Sequence, residues 1–302
     1  MPVRIPDNAY WEREGMETLP YKFRYPFTHI NQNLPNRHII KEKSKIFPFP
    51  IYIVMLNQNS HNPITISFIL PFFPVYVKIT QRGDTMKLIY KNPLSCAEDV
   101  SGFVLEGSAN VYFENGKMRM KNALSEDLGQ KSNFVYWCDK TFPSDIQIEW
   151  DFKPIEEPGL AIMFFGAQGV GGEDLFDKSL APRDGQYNLY HSGDINAYHI
   201  SYFRRKWDEE RSFHTCNLRK SKGFYLVCQG ADPIPDCKDA TEYHIIIRKK
   251  QGKIDFIIND LEVFSWLDDG IEYGPVIGGG KIGFRQMAPM IGEYSNLLVY
   301  EL

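Results

Sequence analysis

All but two of the 23 glycines in this chain, Gly15 and Gly83, come after residue 85. Tight hairpin turns place their central residues at positive φ, which glycine adopts without steric cost. The capacity to build hairpins is therefore confined to residues 86–302. The first 85 residues hold ten of the 19 prolines, which interrupt helices and remove donors from sheet ladders. Arg82-Gly83, just before Met86, is also what a purine-rich ribosome-binding sequence gives when read in frame. We expect residues 1–85 to be a poorly ordered extension or a mis-assigned start, and residues 86–302 to be the folded domain.

A stretch of that size suits one all-β domain, which commonly runs to about 200–250 residues. Residues 1–85 carry ten Lys/Arg against six Asp/Glu, a net of +4, so the whole-chain net of −4 leaves the remainder at −8. An acidic domain of this kind argues against a nucleic-acid partner. The five cysteines (Cys96, Cys138, Cys216, Cys228, Cys237) are odd in number and form neither a CxxC pair nor a zinc spacing. Reduced thiols in a cytoplasmic protein are the simplest expectation, with no metal and no cofactor. No basic segment leads into an apolar core, so no signal peptide is expected. Two apolar patches, 47–56 and 64–77, fall short of the roughly 18 residues a membrane helix needs, and Pro48, Pro50, Pro71 and Pro74 interrupt them. No stable membrane span is expected.

After Met86 the dominant pattern is alternation. In residues 146–152, Ile146, Ile148, Trp150 and Phe152 fall on one face of a strand and Gln147, Glu149 and Asp151 on the other. Residues 160–165 are apolar on both faces, as in a covered central strand. Residues 197–203 place Tyr198, Ile200 and Tyr202 against His199, Ser201 and Phe203. Residues 243–248 and 254–260 read as a hairpin, and 280–285 and 296–300 as closing strands. Helical periodicity is scarce and no repeat recurs, which favours two packed antiparallel sheets.

Five segments carry a specific resemblance: 88–94 (LIYKNPL), 193–207 (GDINAYHISYFRRKW), 213–221 (FHTCNLRKS), 229–235 (QGADPIP) and 273–289 (YGPVIGGGKIGFRQMAP). They resemble the bacterial YesU-like family, a domain of unknown function, and the resemblance spans 86–302. It implies a concanavalin-like jelly-roll β-sandwich and a setting in the use of pectin, notably rhamnogalacturonan. It implies no catalytic residue.

The residues themselves offer three constellations. Glu149 and Asp151 share a strand face and are a candidate carboxylate pair for glycoside hydrolysis. Related glucanases place a third acid on the same strand; here Lys153-Pro154 intervenes, and a solvated acidic face is the plainer alternative. The second constellation is residues 191–205, with His191, Asp194, Asn196, His199, Ser201 and Arg205. Polysaccharide lyases on this type of sandwich use His and Tyr to move protons, with Arg or Asn to neutralise the uronate carboxylate. Strand parity puts His199, Ser201 and Arg205 together on the open face and Tyr198 and Tyr202 inside, so a tyrosine partner for His199 must come from another element. A hydrogen-bonded sheet histidine is the equal alternative. The third is a basic, aromatic stretch: Arg204, Arg205, Lys206, Arg211, Arg219, Lys220 and Lys222 with Trp207, Phe213, His214, Phe224 and Tyr225. Arg pairs well with carboxylates, although Asp208, Glu209 and Glu210 sit inside the run. Arg285 and Gln286 point to opposite faces of one strand, and one of them is expected in the groove of His199. The loop 166–174 is glycine-rich and without a calcium-loop pattern.

His199, Glu149 and Asp151 are thus the candidate catalytic residues. Candidate substrate contacts are His191, Asp194, Asn196, Ser201, Arg205, Trp207, His214, Arg285 and Gln286. The expected function is lyase or hydrolase chemistry on an acidic pectin-derived oligosaccharide, the alternative a non-catalytic lectin-like module. An isomerase or mutarotase is a third expectation.

Overall fold

The computed structural model describes residues 86–302 throughout and, before them, the backbone of four strands. These are β1 (Arg37–Glu42), β2 (Ile51–Leu56), β3 (Thr65–Leu70) and β4 (Phe73–Lys78), paired antiparallel in the order β1-β2-β3-β4. The apolar patches of the N-terminal part carry β2, β3 and β4. The expectation of a mis-assigned or poorly ordered start falls on residues most of which lie outside the described ones. Among the described residues no helix is long and apolar enough to cross a membrane. The chain divides into two units, residues 1–85 and 86–302.

The second unit is a jelly-roll sandwich of two antiparallel sheets. Its strands are β5 (Lys87–Asn92), β6 (Val104–Gly107), β7 (Ala109–Glu114), β8 (Lys117–Asn122), β9 (Phe134–Trp137), β10 (Ile146–Glu156), β11 (Ala161–Gly169) and β12 (Ile195–Tyr202). They continue with β13 (Thr215–Ser221), β14 (Tyr225–Ala231), β15 (Tyr243–Lys250), β16 (Lys253–Ile258), β17 (Leu261–Leu267), β18 (Lys281–Gln286) and β19 (Ile291–Glu301). One sheet runs β17-β16-β15-β10-β19-β8-β7, with β5 joining β19 beyond the short β8 contact; the other runs β14-β13-β12-β11-β18-β9-β6. Two short helices, α1 (Asn188–His191) and α2 (Asp208–Phe213), flank β12.

The alternation in the sequence becomes the core. Ile146, Ile148, Trp150 and Phe152 of β10 meet Ala161, Met163 and Phe165 of β11 and Tyr198, Ile200 and Tyr202 of β12 between the sheets, all buried. Trp150 Nε1 donates to Tyr202 Oη at 3.2 Å, so the indole's polar edge is satisfied inside the sandwich.

The seven-stranded sheet is also covered on part of its outer face. Val135, Trp137, Ile162 and Phe164 form a second apolar cluster with Leu175 and Tyr190, which lie on the segment joining β11 to β12. This explains why residues 160–165 are apolar on both sides. Two anchors hold the covering segment: Arg183 forks onto the Glu106 carboxylate at 2.8 and 3.1 Å, and Glu106 accepts from Trp137 Nε1 at 2.8 Å. Gly283 is required here, because a Cβ on it would stand 2.3 Å from the Trp137 ring.

Candidate active site on the outer face of the seven-stranded sheet

Where the covering segment ends, the outer face turns polar. The ladder aligns Phe164, His199 and Arg219 in one row across β11, β12 and β13. The next row, about 7 Å along the strands, aligns Arg285, Ile162, Ser201 and Asn217. Tyr187 and His191 border the first row from the covering segment, and Phe224 borders it from the β13–β14 hairpin. Gln130 closes the side beyond Arg285, and Arg204 closes the end beyond Asn217.

His199 is fully buried on this face. Its Nε2 lies 2.7 Å from Tyr187 Oη, its ring packs 4.9 Å from Phe164, and its Nδ1 has no partner. Burial pushes its pKa well below the ordinary histidine value, and the nearby Arg219 and Arg285 guanidiniums add to that. The imidazole is neutral at pH 7. Burial also raises the Tyr187 hydroxyl to about 12, against the pull of Arg285, Arg219 and Arg204, so the phenol keeps its proton.

Arg285 is the unusual group. Its side chain is fully buried, yet among the described residues it faces no carboxylate. Its Nη2 donates to Gly185 O at 3.2 Å and Gln130 Oε1 at 3.3 Å; Nε and Nη1 have no partner. Its Cζ lies 4.6 Å from the Tyr187 ring centre. Burial lowers its pKa from 12.5 to about 10, which leaves it charged at neutral pH. Gly185 allows this approach: at φ +92 it presses against β9, and a Cβ would stand 1.9 Å from Asn133 O.

Arg219 likewise has no acidic partner among the described residues. Its Cζ sits 3.9 Å over the Phe224 ring, and Nη1 donates to Phe224 O at 2.9 Å. His191 stacks on Phe224 at 4.1 Å and meets Tyr187 edge-on at 4.9 Å; burial lowers its pKa. Arg204 is neutralised by Glu210 at 2.8 Å. Asn217, with its amide oxygen turned toward Arg204 Nη1 at 3.0 Å, lines the floor.

The structure thus gathers His199, Ser201, Arg285 and His191 from the sequence-derived candidates, but the face expected to be open is covered there, and His199, Ser201 and Arg285 are all buried. It places the others elsewhere. Glu149 and Asp151 lie on the outer face of the eight-stranded sheet, with the whole sandwich between them and His199. There His244 Nδ1 lies 2.8 Å from Asp151 Oδ1, and Asn296 donates to Asp151 Oδ2 at 2.6 Å. Arg205 does not share the face of His199, because the alternation ends at Phe203, whose φ is +47. Its buried guanidinium instead pairs with Asp232 at 3.3 Å and Asp236 at 3.2 Å and meets His214 Nδ1 at 3.2 Å, fastening the chain after β12 to the chain after β14. Gln286 points into the sandwich and donates to Met120 O and Met290 O. Asp194 accepts from Ala181 N at 2.6 Å and so pins the covering segment; Asn196 accepts weakly from Lys222 N at 3.4 Å. Trp207 is exposed at the start of α2. The glycine-rich loop is closed by its own Glu173, which accepts from Gly171 N.

Tyr187, Asn217 and Gln130 were not among the candidates, and Tyr187 lies in a segment without periodicity, so nothing in the sequence marks it. Arg219 stood in the basic stretch but not among the candidate contacts; alternation along β13, which puts Asn217 and Arg219 outward and Cys216, Leu218 and Lys220 inward, was the signal for both.

Fold and site together define a galectin-like jelly-roll protein with a largely buried cationic cluster on the outer face of one sheet. The chain belongs to the family described as Domain of unknown function (DUF1961), whose model matches residues 87–299. It is 50% identical over 214 residues to the uncharacterized protein YesU of Bacillus subtilis (strain 168), covering 70% of this chain and 95% of that one. The crystal structure of a Bacillus subtilis protein of unknown function with a galectin-like fold superposes with a TM-score of 0.69 at 49% identity, over 71% of this chain and 96% of the other.

Proposed function

We propose that this protein acts on an acidic, pectin-type oligosaccharide by β-elimination, holding the uronate carboxylate at Arg285. One observation carries the reading: a fully buried, charged guanidinium with two unpartnered nitrogens. Burying a charge without a counter-charge is costly, and an anionic ligand supplies the missing partner. Arg219, also without an acid, adds a second positive group. Uronates provide a carboxylate next to the carbon whose proton must leave.

The His199–Tyr187 pair supplies the proton transfers. With the Nε2 hydrogen directed at Tyr187 Oη, Nδ1 keeps an unpaired lone pair (a tautomer assigned from the network); that atom is enclosed in the free protein, so the substrate must displace part of the covering segment to reach it. His199 takes the C5 proton on Nδ1, and Arg285 stabilises the enolate-like charge on the carboxylate. The C4–O bond breaks as the C4–C5 double bond forms, and the leaving oxygen takes the Tyr187 proton. The imidazolium then returns its Nε2 proton across 2.7 Å to the Tyr187 oxygen, which restores the phenol and leaves His199 neutral with its proton on Nδ1; loss of that proton to water and reprotonation at Nε2 reset the pair for the next turnover. Hydrolysis is less well supported, because it needs two carboxylates flanking the bond, and Glu149 and Asp151 are on the other sheet. A binding-only role draws support from the depressed basicity of His199. The five cysteines are free thiols, which supports a reducing, cytoplasmic setting.

Incubation of the full chain with rhamnogalacturonan and galacturonan fragments tests the proposal. Ultraviolet absorbance from an unsaturated uronate is the expected result. Reducing ends without that absorbance overturn the elimination, binding without product leaves a lectin, and no binding by any acidic fragment overturns the proposal itself.

A further inference from the structure

The hairpin that carries Phe224 has a second aromatic side, and we infer that it is a remote subsite for the sugar units that follow the acidic one along the same oligosaccharide chain. The inference rests on the proposed function. Phe224 borders the cationic cluster through His191, Tyr187 and Arg219. Tyr225 follows it and stands opposite Lys220 in the ladder, so its ring turns to the other side of the hairpin. That ring lies 5.2 Å from Tyr273, which lies 6.4 Å from Trp266. Phe224, 36% exposed, and Tyr225, 44% exposed, are chain neighbours on the two sides of the hairpin, and the half-buried Tyr273 and Trp266 extend the second side.

The shelf is built into the fold. A Cβ on Gly223, at φ +122, would stand 2.2 Å from the Tyr225 ring, so glycine is what lets the ring lie there. From beneath, Lys220 Nζ pairs with Asp268 at 2.6 Å, both buried, and donates to Gly274 O at 2.7 Å. Asp268 also accepts from the Tyr198 hydroxyl, whose oxygen accepts from Ile277 N at 3.0 Å. A desolvated ion pair adds little net stability; here it fixes both ends of the loop that presents Tyr273. Partly exposed clustered aromatic rings are a usual mark of a binding site, and the C–H faces of sugar rings lie flat on such rings. Continuity with the cationic cluster through Phe224 selects the occupant.

The test compares the wild-type chain with a Tyr225→Ala/Tyr273→Ala double variant, titrated with galacturonate dimer and decamer. The wild type is expected to bind the decamer at least tenfold more tightly, the equivalent of about 1.4 kcal/mol. The variant is expected to lose that advantage while its dimer affinity stays the same, and Tyr225→Phe is expected to keep it. Absence of a length advantage in the wild type overturns the shelf and leaves the Arg285 site standing, as does a variant that retains the advantage. An equal loss for dimer and decamer overturns it as well. Failure of the wild type to bind either probe removes both readings. A change in sedimentation mass in the variant assigns the surface to self-association and overturns the subsite.

Discussion

Arg205 and Arg285 are equally buried, each with a side chain fully removed from solvent, and the site reading predicts opposite outcomes when each becomes methionine. For Arg285 the fall in pKa from 12.5 to about 10 corresponds to a penalty of about 3 kcal/mol on the charged form, at 1.36 kcal/mol per unit. Both folded and unfolded states carry the charge below pH 10, so the penalty is fully present at neutral pH. Arg285→Met removes it. The same change forfeits two long hydrogen bonds, at 3.2 and 3.3 Å, together about 1–2 kcal/mol. The expected net is a gain of about 1–2 kcal/mol in the free protein. Arg205→Met instead strands the buried Asp232, and breaking such a pair costs about 3–5 kcal/mol. Urea unfolding followed by tryptophan fluorescence at pH 7 measures both. Galacturonate should raise the stability of the wild type, by about 2.7 kcal/mol at a hundredfold excess over its dissociation constant, and leave Arg285→Met unmoved. An Arg285→Met variant destabilised by more than about 1 kcal/mol, beyond the range the cited terms allow, would refute the reasoning, since the guanidinium would then be part of the scaffold.

Tyr187→Phe keeps the ring against Arg285 but removes the hydroxyl on His199; initial-rate measurements should show turnover down by about 10²–10⁴-fold with oligosaccharide affinity retained. His199→Gln tests the buried neutral imidazole. Because the folded pKa is depressed, the unfolded state binds the extra proton, so wild-type stability falls as pH drops below about 6.5, with a slope of up to about 1.4 kcal/mol per unit from this one group. Unfolding midpoints between pH 7 and 5 should fall less steeply in the variant. Glu149→Gln and Asp151→Asn lie across the sandwich from the cationic cluster and should leave turnover unchanged, which a product assay checks directly.

The fold was legible because its main signal is local. Period-two alternation in residues 146–152 and 197–202 assigns the inner face without reference to any other strand, and the inter-sheet apolar core follows it residue by residue. Arg205 marks where that logic fails: parity holds only while the strand continues, and the positive φ of Phe203 redirects everything after it. Glu149 and Asp151 show a second limit. Alternation gives a residue's side of its own strand, but which sheet that strand joins depends on long-range pairing, here β10 with β15 and β19. Tyr187 shows a third, since its position is set by the Arg183–Glu106 fork and the burial of Tyr190, contacts between residues far apart in the chain.

Those same contacts explain how a sandwich sheet comes to hold a charged, water-poor site. An exposed sheet face would solvate Arg285 and leave it at its ordinary basicity, with little to offer a particular anion. The covering segment removes that solvent. Tyr190 anchors it in the apolar cluster beside Trp137 and Phe164, and Gly185 lets it approach closely enough for its carbonyl to meet the guanidinium. Low local polarity strengthens a charge–charge contact, so the desolvation that weakens the free fold is what would make carboxylate binding tight. Glu106→Gln separates these effects: it weakens the Arg183 fork without touching Arg285 or His199. If the covering segment is what excludes water, this variant should bind galacturonate more weakly and should lose part of the acid sensitivity traced to His199, with circular dichroism unchanged. Unaltered affinity alongside a loosened segment, measured by hydrogen exchange at residues 183–191, would mean that the site is formed by the sheet alone.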